Sequence, residues 1–345
     1  MNLARPFKGN NILDESSRSC YDPHIMANQT EPKTLQQAII YFSNPKNCLE
    51  YLTARRWPDG VTCPTCGRDD VSFLEKQNKW QCKSAHKQRQ FSAKVGTIFE
   101  DSPLGLDKWL AAVWLIVNAK NGISSYEIHR GLGVTQKTAW FMLQRIRLAM
   151  QTGSFAKKLS GHVEVDETFI GGKARNMHKA RKQRANLSPT GMVGKVAVMG
   201  LLERHGEVRA HVVPATTRAV LQPKVRQHVE EGSNLYSDSH PGYDNLENEY
   251  IRGVINHAER YVDGQIHTNG MENFWSLLKR SIKGTYVSVE PFHLFRYLDE
   301  QTFRFNSRRG NDSERFQRAT EQIVGKRLTY SALTGKDKDA RKLSN

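Results

Sequence analysis

The chain has 345 residues, 38% of them hydrophobic and 9% aromatic, enough for packed cores in two or three domains. No run approaches the ~20 consecutive apolar residues of a membrane span, and MNLARPFKGNNILDESS at the N-terminus lacks the apolar centre of a signal peptide. Lys and Arg number 51 against 35 Asp and Glu, a net charge of +16, which suits binding to a polyanion, above all nucleic acid, in the cytoplasm or on the nucleoid.

Residues 1–33 are polar and without period, and are expected to be an arm, or an upstream extension of a chain that starts at Met26. Residues 34–57 have Leu35, Ala38, Ile39, Phe42, Cys48, Leu49 and Leu52 at helical spacing, up to the break at Pro58. Five cysteines follow a metal pattern rather than a disulfide pattern: Cys20 and Cys48 stand apart, while Cys63 and Cys66 form a C-P-x-C-G knuckle, with Cys82 and then His86 beyond it. Three sulfurs and an imidazole make a closed, structural zinc set, with His86 the least regular member. VSFLEKQNKWQC between the knuckles has strand-type residues, as in a zinc ribbon, and no βαβ pattern surrounds it to support a redox C-x-x-C. This N-terminal helix and ribbon are assigned to 34–100.

LDKWLAAVWLIVNAKN has the pattern of a buried helix. Ser124 and Glu127 make a capping box for a second helix, Gly133 sits in a turn, and Thr135 caps a third, QKTAWFMLQRIRLAM. Two helices around a glycine turn, the second carrying Gln136, Lys137, Arg145 and Arg147, suggest a helix-turn-helix over 101–155, although a plain helical hairpin would share the pattern.

From 156 to 320 the periodicity is α/β. In GHVEVDETFIGGK, Val163 and Val165 alternate with Glu164 and Asp166, so a strand has one apolar and one acidic face. KVAVMGLLERHGEVRAHVV is a hairpin about His205 and Gly206, and residues 217–231 form a helix. Between strand and hairpin, residues 173–195 carry seven Lys or Arg and no acid: a solvated loop, or a phosphate clamp built from Lys173, Arg175, Lys179, Arg181, Lys182 and Arg184. A short strand then ends at Asp238 before His240, Pro241 and Gly242; an Asx turn is the ordinary role for such an aspartate. HTNGMENFWSLLKRSIKG, 267–284, is a helix with Asn269 as N-cap, Glu272 at the capping-box position and Gly284 as terminator. Its apolar stripe is Met271, Phe274, Leu278 and Ile282, and its polar face Glu272, Ser276, Lys279 and Lys283. That face is either solvated or one wall of a site. If the two strands are neighbours, Asp166 and Asp238 meet at a sheet edge, with Glu272 approaching from the helix. Such a crowd of hard oxygen donors suits Mg²⁺ or Mn²⁺, and two such ions serve phosphodiester chemistry. The segment after about 326, within a basic tail at 321–345, is expected to be a disordered end.

VEVDETFIGG, YSDSHPGY, HTNGMENFWSLLKRSIKGTY and RYLDEQTFRFNSR, together with GTIFEDSPLGLDKW and GISSYEIHRGLGVTQKTAW, resemble the transposases of ISXO-like insertion sequences over about residues 35–315. The resemblance implies an RNase H-like mixed sheet with flanking helices, preceded by a zinc ribbon, and a DDE-type enzyme that cuts DNA at terminal repeats and joins it to target DNA. It implies Asp166 and Asp238 as metal ligands, with Glu272 favoured over Asn269 as the third and Lys279 following; Lys137, Arg145, Lys279 and Lys283 would face DNA. It also implies a homo-oligomer, since two ends are processed together. A non-catalytic DNA-binding derivative and a stand-alone nuclease are the rivals; the three carboxylates disfavour the first and the two DNA-reading modules the second.

Overall fold

A computed structural model describes residues 31–151, 157–171, 195–255 and 267–336. The N-terminal arm with Met26, the six basic residues from Lys173 to Arg184 and the KDKDARK stretch lie outside them.

The first helical stretch is two helices, α1 (Leu35–Phe42) and α2 (Pro45–Arg56). The break falls where Asn44 accepts from the Lys46 amide and Pro45 takes the first helical position, which its missing N–H and fixed φ favour. The ribbon is a three-stranded antiparallel sheet of β1 (Val71–Leu74), β2 (Lys79–Cys82) and β3 (Gln90–Phe91). Then come α3 (Leu106–Asn118), α4 (Ser125–Leu132) and α5 (Gln136–Met150). The Ser124/Glu127 capping box forms, Gly133 turns at φ 60°, and Thr135 accepts from the Thr138 amide. One buried cluster runs through all of these elements, from Phe42 and Leu52 through Trp80 to Trp109, Trp114 and Ile146.

The second half is built on a five-stranded sheet of order β6-β5-β4-β7-β8: β4 (His162–Ile170), β5 (Val196–Glu203), β6 (Val208–Val213), β7 (Asn234–Asp238) and β8 (Ile251–Ile255). β4, β5 and β6 are antiparallel; β4, β7 and β8 are parallel. Helix α6 (Arg218–His228) covers one face, packing Leu221 and Val225 on Val163, Val165 and Leu235. Helices α7 (Asn269–Ser281) and α8 (Leu294–Asn306) cover the other, through Met271, Phe274, Leu278 and Leu298 on Val198 and Leu202. This is the RNase H-like mixed sheet with flanking helices that the sequence resemblance implies.

Two corrections concern chain ends and element ends. The chain beyond 321 does not leave the body at once: after α9 (Asp312–Glu321), the Ile98 amide donates to Ile323 O and the Gly325 amide to Gly96 O, and a short helix α10 (Tyr330–Leu333) follows. Residues 322–336 are thus a strap laid back on the N-terminal half. The helix at 267–284 is also differently bounded. Asn269 is its first helical residue, not its cap; Thr268 holds that place with no side-chain capping bond. Gly284 does not stop it either, because the backbone widens into a π-turn over Ile282–Tyr286. Among the described residues no helix is long and apolar enough to cross a membrane.

Candidate active site and metal centre

β4 and β7 pair in parallel with His162 opposite Asn234 and Glu164 opposite Tyr236. Two residues further along that register stand Asp166 and Asp238, the latter at the last position of its strand. On the other side, Asp166 pairs with Gly200 of β5. A Cβ at position 200 would lie 2.1 Å from the Met271 methyl and 2.6 Å from the Trp275 ring, so glycine lets α7 lie directly on the sheet there. That approach delivers Trp275, whose Nε1 donates to Asp166 Oδ2 at 2.9 Å, while the Glu167 amide donates to Oδ1 at 2.8 Å. Asp238 keeps its Asx turn, accepting from the His240 amide at 3.1 Å. Its local role and its place beside Asp166 are compatible.

Electrostatics tie the group together. Burial pushes Asp166 up from its ordinary 3.8 to about 6, with the Asp238 and Glu272 carboxylates adding to the rise. Glu167 goes further, to about 8, through burial and the charges of Asp238 and Asp166, and its Oε1 is buried without a hydrogen-bond partner among the described residues. Among those residues no cation pairs with any of the four carboxylates. Glu272 and Asn269 are both exposed on α7, and Lys279 is half-buried; Lys279 lies two turns beyond Glu272, about 10 Å along the helix axis. The carboxylates stand more loosely than the sulfur site described next.

Glu164, on the acidic face of β4, belongs to the interior. It is 1% exposed; Oε1 takes Arg204 Nε at 2.8 Å and faces His267 Nδ1 at 3.3 Å, while Oε2 accepts the Met271 amide at 3.0 Å. A strand carboxylate therefore caps the first turn of α7, which explains why Asn269 has no capping work to do.

In the ribbon, donor atoms of Cys63, Cys66, Cys82 and His86 all lie within 4.8 Å of one another, the one such group of three or more among the described residues. Cys66 and Cys82 sulfurs are 3.6 Å apart and Cys63 Sγ is 3.5 Å from His86 Nε2. Tetrahedral donors around a zinc ion stand roughly 3.7 Å apart when Zn–S is ~2.3 Å, so the set fits zinc and His86 belongs to it.

Residues 158–306 match the family model of the ISXO2-like transposase domain, and residues 43–88 that of the transposase zinc-ribbon domain. An "uncharacterized protein in transposable element ISH50" of Halobacterium salinarum is 29% identical over 255 residues, 69% of this chain and 83% of its own. An "uncharacterized transposase-like protein" of Haemophilus influenzae is 33% identical over 97 residues, 28% of this chain and 78% of its own. The chain belongs to the ISXO2-like transposase family.

In this transposase α5, the second helix of the expected helix-turn-helix, offers less surface than its charges suggest. Only its first turns reach solvent: Lys137 is exposed, with its ammonium 5.0 Å from the Tyr330 ring. Arg145 is 4% exposed, donating to the Ile98, Glu100 and Leu328 carbonyls, and Arg147 is 1% exposed against Glu300. Arg145 was expected on a DNA-facing surface; it and Arg147 are instead interior struts, Arg145 held by long-range carbonyls and Arg147 by a buried carboxylate. Lys283 is exposed in the π-turn. Glu167, Trp275, Glu164 and Gly200 went unremarked as site residues in the sequence. Gly200, a lone glycine inside a strand pattern, was the available signal for close approach of another element.

Proposed function

We propose that this transposase cuts DNA at the ends of its insertion sequence and joins them to target DNA by phosphoryl transfer at Asp166, Asp238 and Glu272. The observation that carries the reading is the parallel β4/β7 register, which sets Asp166 beside Asp238 on the face where α7 brings Glu272. The donor set fits a hard divalent cation: all oxygens, with Asp166 and Glu167 both held above the carboxylate range by burial and, after it, by crowding. Asp166, Asp238 and Glu272 would hold Mg²⁺ or Mn²⁺, with Asn269 the competing ligand. When bound, such ions supply the positive charge that offsets the developing charge on the reacting phosphate and its flanking oxygens.

The residues of the chain do the rest. Trp275 and the Glu167 amide fix both oxygens of Asp166, so its carboxylate is oriented before DNA arrives. Glu164 anchors the first turn of α7 and hence the depth of Glu272. Lys279 and Lys283 engage phosphates beyond the cleaved bond, and Lys137 with the ribbon reads the terminal repeat. Two copies at least would act together on the paired ends. Paired element ends incubated with the protein and Mg²⁺ test the reading. Asp166→Asn or Asp238→Asn should abolish cleavage while end binding persists; undiminished cleavage by either rejects the site. Glu272→Gln and Asn269→Ala decide the third ligand by which loses more.

A further inference from the structure

The π-turn at the end of α7 is tied, through a buried carboxylate on α8, to the N-terminal half of the chain. Its last residue, Tyr286, donates its hydroxyl to Glu300 Oε1 on α8. Glu300 is 0% exposed and also takes Arg304 on Oε1 and Arg147 Nε on Oε2, the latter at 2.6 Å. Arg147 comes from α5, the second helix of the helix-turn-helix. Its Nη1 and Nη2 have no hydrogen-bond partner among the described residues; instead the guanidinium lies 4.0 Å from the Tyr297 ring centre and 5.0 Å from that of Tyr286. The loop entering the helix-turn-helix reaches the same spot: a Cβ on Gly122 would lie 2.0 Å from the Tyr286 hydroxyl and 2.9 Å from Glu300 Oε1. Both ends of the DNA-reading module thus meet at one tyrosine on the extension of the catalytic helix.

The backbone beside that tyrosine is strained on both sides. Before it the helix is widened to π-geometry, a rare form that is frequent at functional sites. After it Val287 sits at φ 60°, ψ −54°, with the Ser288 amide donating to Tyr286 O at 2.6 Å. That is the rare, strained γ-turn, in a β-branched and 77% exposed residue. Nothing local favours such a conformation, so the buried anchor imposes it. The segment so imposed carries Lys283 and follows directly on Lys279 and Arg280.

We propose that Tyr286, tied through Glu300 to Arg147, is a positioning residue: it sets the aim of the Lys279–Lys283 segment against the carboxylates and links it to the helix-turn-helix. The inference rests on the DNA-cleavage reading above. Its test is single-turnover cleavage of element ends at saturating DNA and Mg²⁺, with end affinity and urea midpoint measured in parallel. Tyr286→Phe should cut the rate constant about tenfold and leave the dissociation constant for DNA within about twofold. Tyr297→Phe removes a hydroxyl from the same cluster, one that faces Gln144 Nε2 at 3.4 Å rather than Glu300; it should lower the midpoint only and cleave at the wild-type rate. Val287→Gly, which relieves the γ-turn, should raise the midpoint and still slow cleavage at least threefold, a pairing of signs that a merely structural residue would not give. A Tyr286→Phe rate within twofold of wild type, or full speed in Val287→Gly, overturns the proposal. Absence of metal-dependent cleavage by the wild-type chain would instead strike at the functional reading itself.

Discussion

Replacing Asp166 by Asn should make the protein more stable and inactive, and the gain should depend on pH in a calculable way. The folded carboxyl titrates near 6 against an ordinary 3.8. Below about pH 4 it is protonated in both states and costs nothing. Between 3.8 and 6 the unfolded chain releases the proton while the folded chain retains it, so the folded state binds more protons and loses stability as pH rises. Above pH 6 the penalty is complete. At ~1.4 kcal/mol for each pH unit separating the two values it amounts to about 3 kcal/mol, and solvent reaching the half-buried carboxylate reduces this to about 1–2 kcal/mol. Asparagine sheds the charge but keeps only one of the two acceptor oxygens that Trp275 Nε1 and the Glu167 amide use, which trims the gain toward about 1 kcal/mol. Urea unfolding at pH 4, 5, 6 and 8, in buffer free of added Mg²⁺ but without a chelator that would strip the ribbon, measures the difference. The two proteins should unfold alike at pH 4 and diverge to a plateau above pH 6. Millimolar Mn²⁺ should then stabilise wild type at pH 8 and leave the variant unmoved. A variant no more stable than wild type at pH 8 would refute the crowded-carboxylate account.

Gly200→Ala should disrupt the seating of α7, because the added methyl meets Met271 and Trp275; a loss of about 1–3 kcal/mol, of the size seen for overpacked cores, and weakened cleavage should appear together in melting and end-cutting assays. Glu164→Gln leaves Arg204 and the Met271 amide without their charged acceptor and should cost about 1–3 kcal/mol, read from urea midpoints. Arg147→Met strips the buried Glu300 of one of its two cationic partners and should cost about 3–5 kcal/mol, which thermal melting would register; a neutral result would mean that Arg304 suffices. His86→Ala should lower zinc content below one ion per chain by elemental analysis and lower the melting point, whereas unchanged zinc would remove His86 from the site.

What the sequence makes legible here follows the range of the interaction. The ribbon ligands lie within 24 residues of one another, and the spacing of two knuckles was enough to name them. Asp166 and Asp238 each sit in a recognisable strand, and the family motifs joined them. The capping of α7 was misjudged because its acceptor comes from Glu164, 107 residues earlier, while Asn269 looked locally ideal. Arg145 was misjudged for the same reason, and Arg147 is held in the same way. A helical arginine looks solvated until carbonyls 45, 47 and 183 residues away, or a carboxylate 153 residues away, turn out to receive it. Glu167 was passed over because strand alternation points it away from Asp166, yet it is buried close enough to Asp166 and Asp238 for both charges to act on it.

The strap at 322–336 bears on how the molecule comes into being. Phe316, Ala319 and Ile323 complete the same buried cluster that holds Phe42 and Trp114, and Leu328 O receives Arg145. A nascent chain can bind its zinc and form its first helices early. It cannot close the interior of its N-terminal half until residues 316–328 have emerged from the ribosome, with the whole five-stranded sheet made in between. Closure of the N-terminal half therefore waits on residues made after the whole five-stranded sheet.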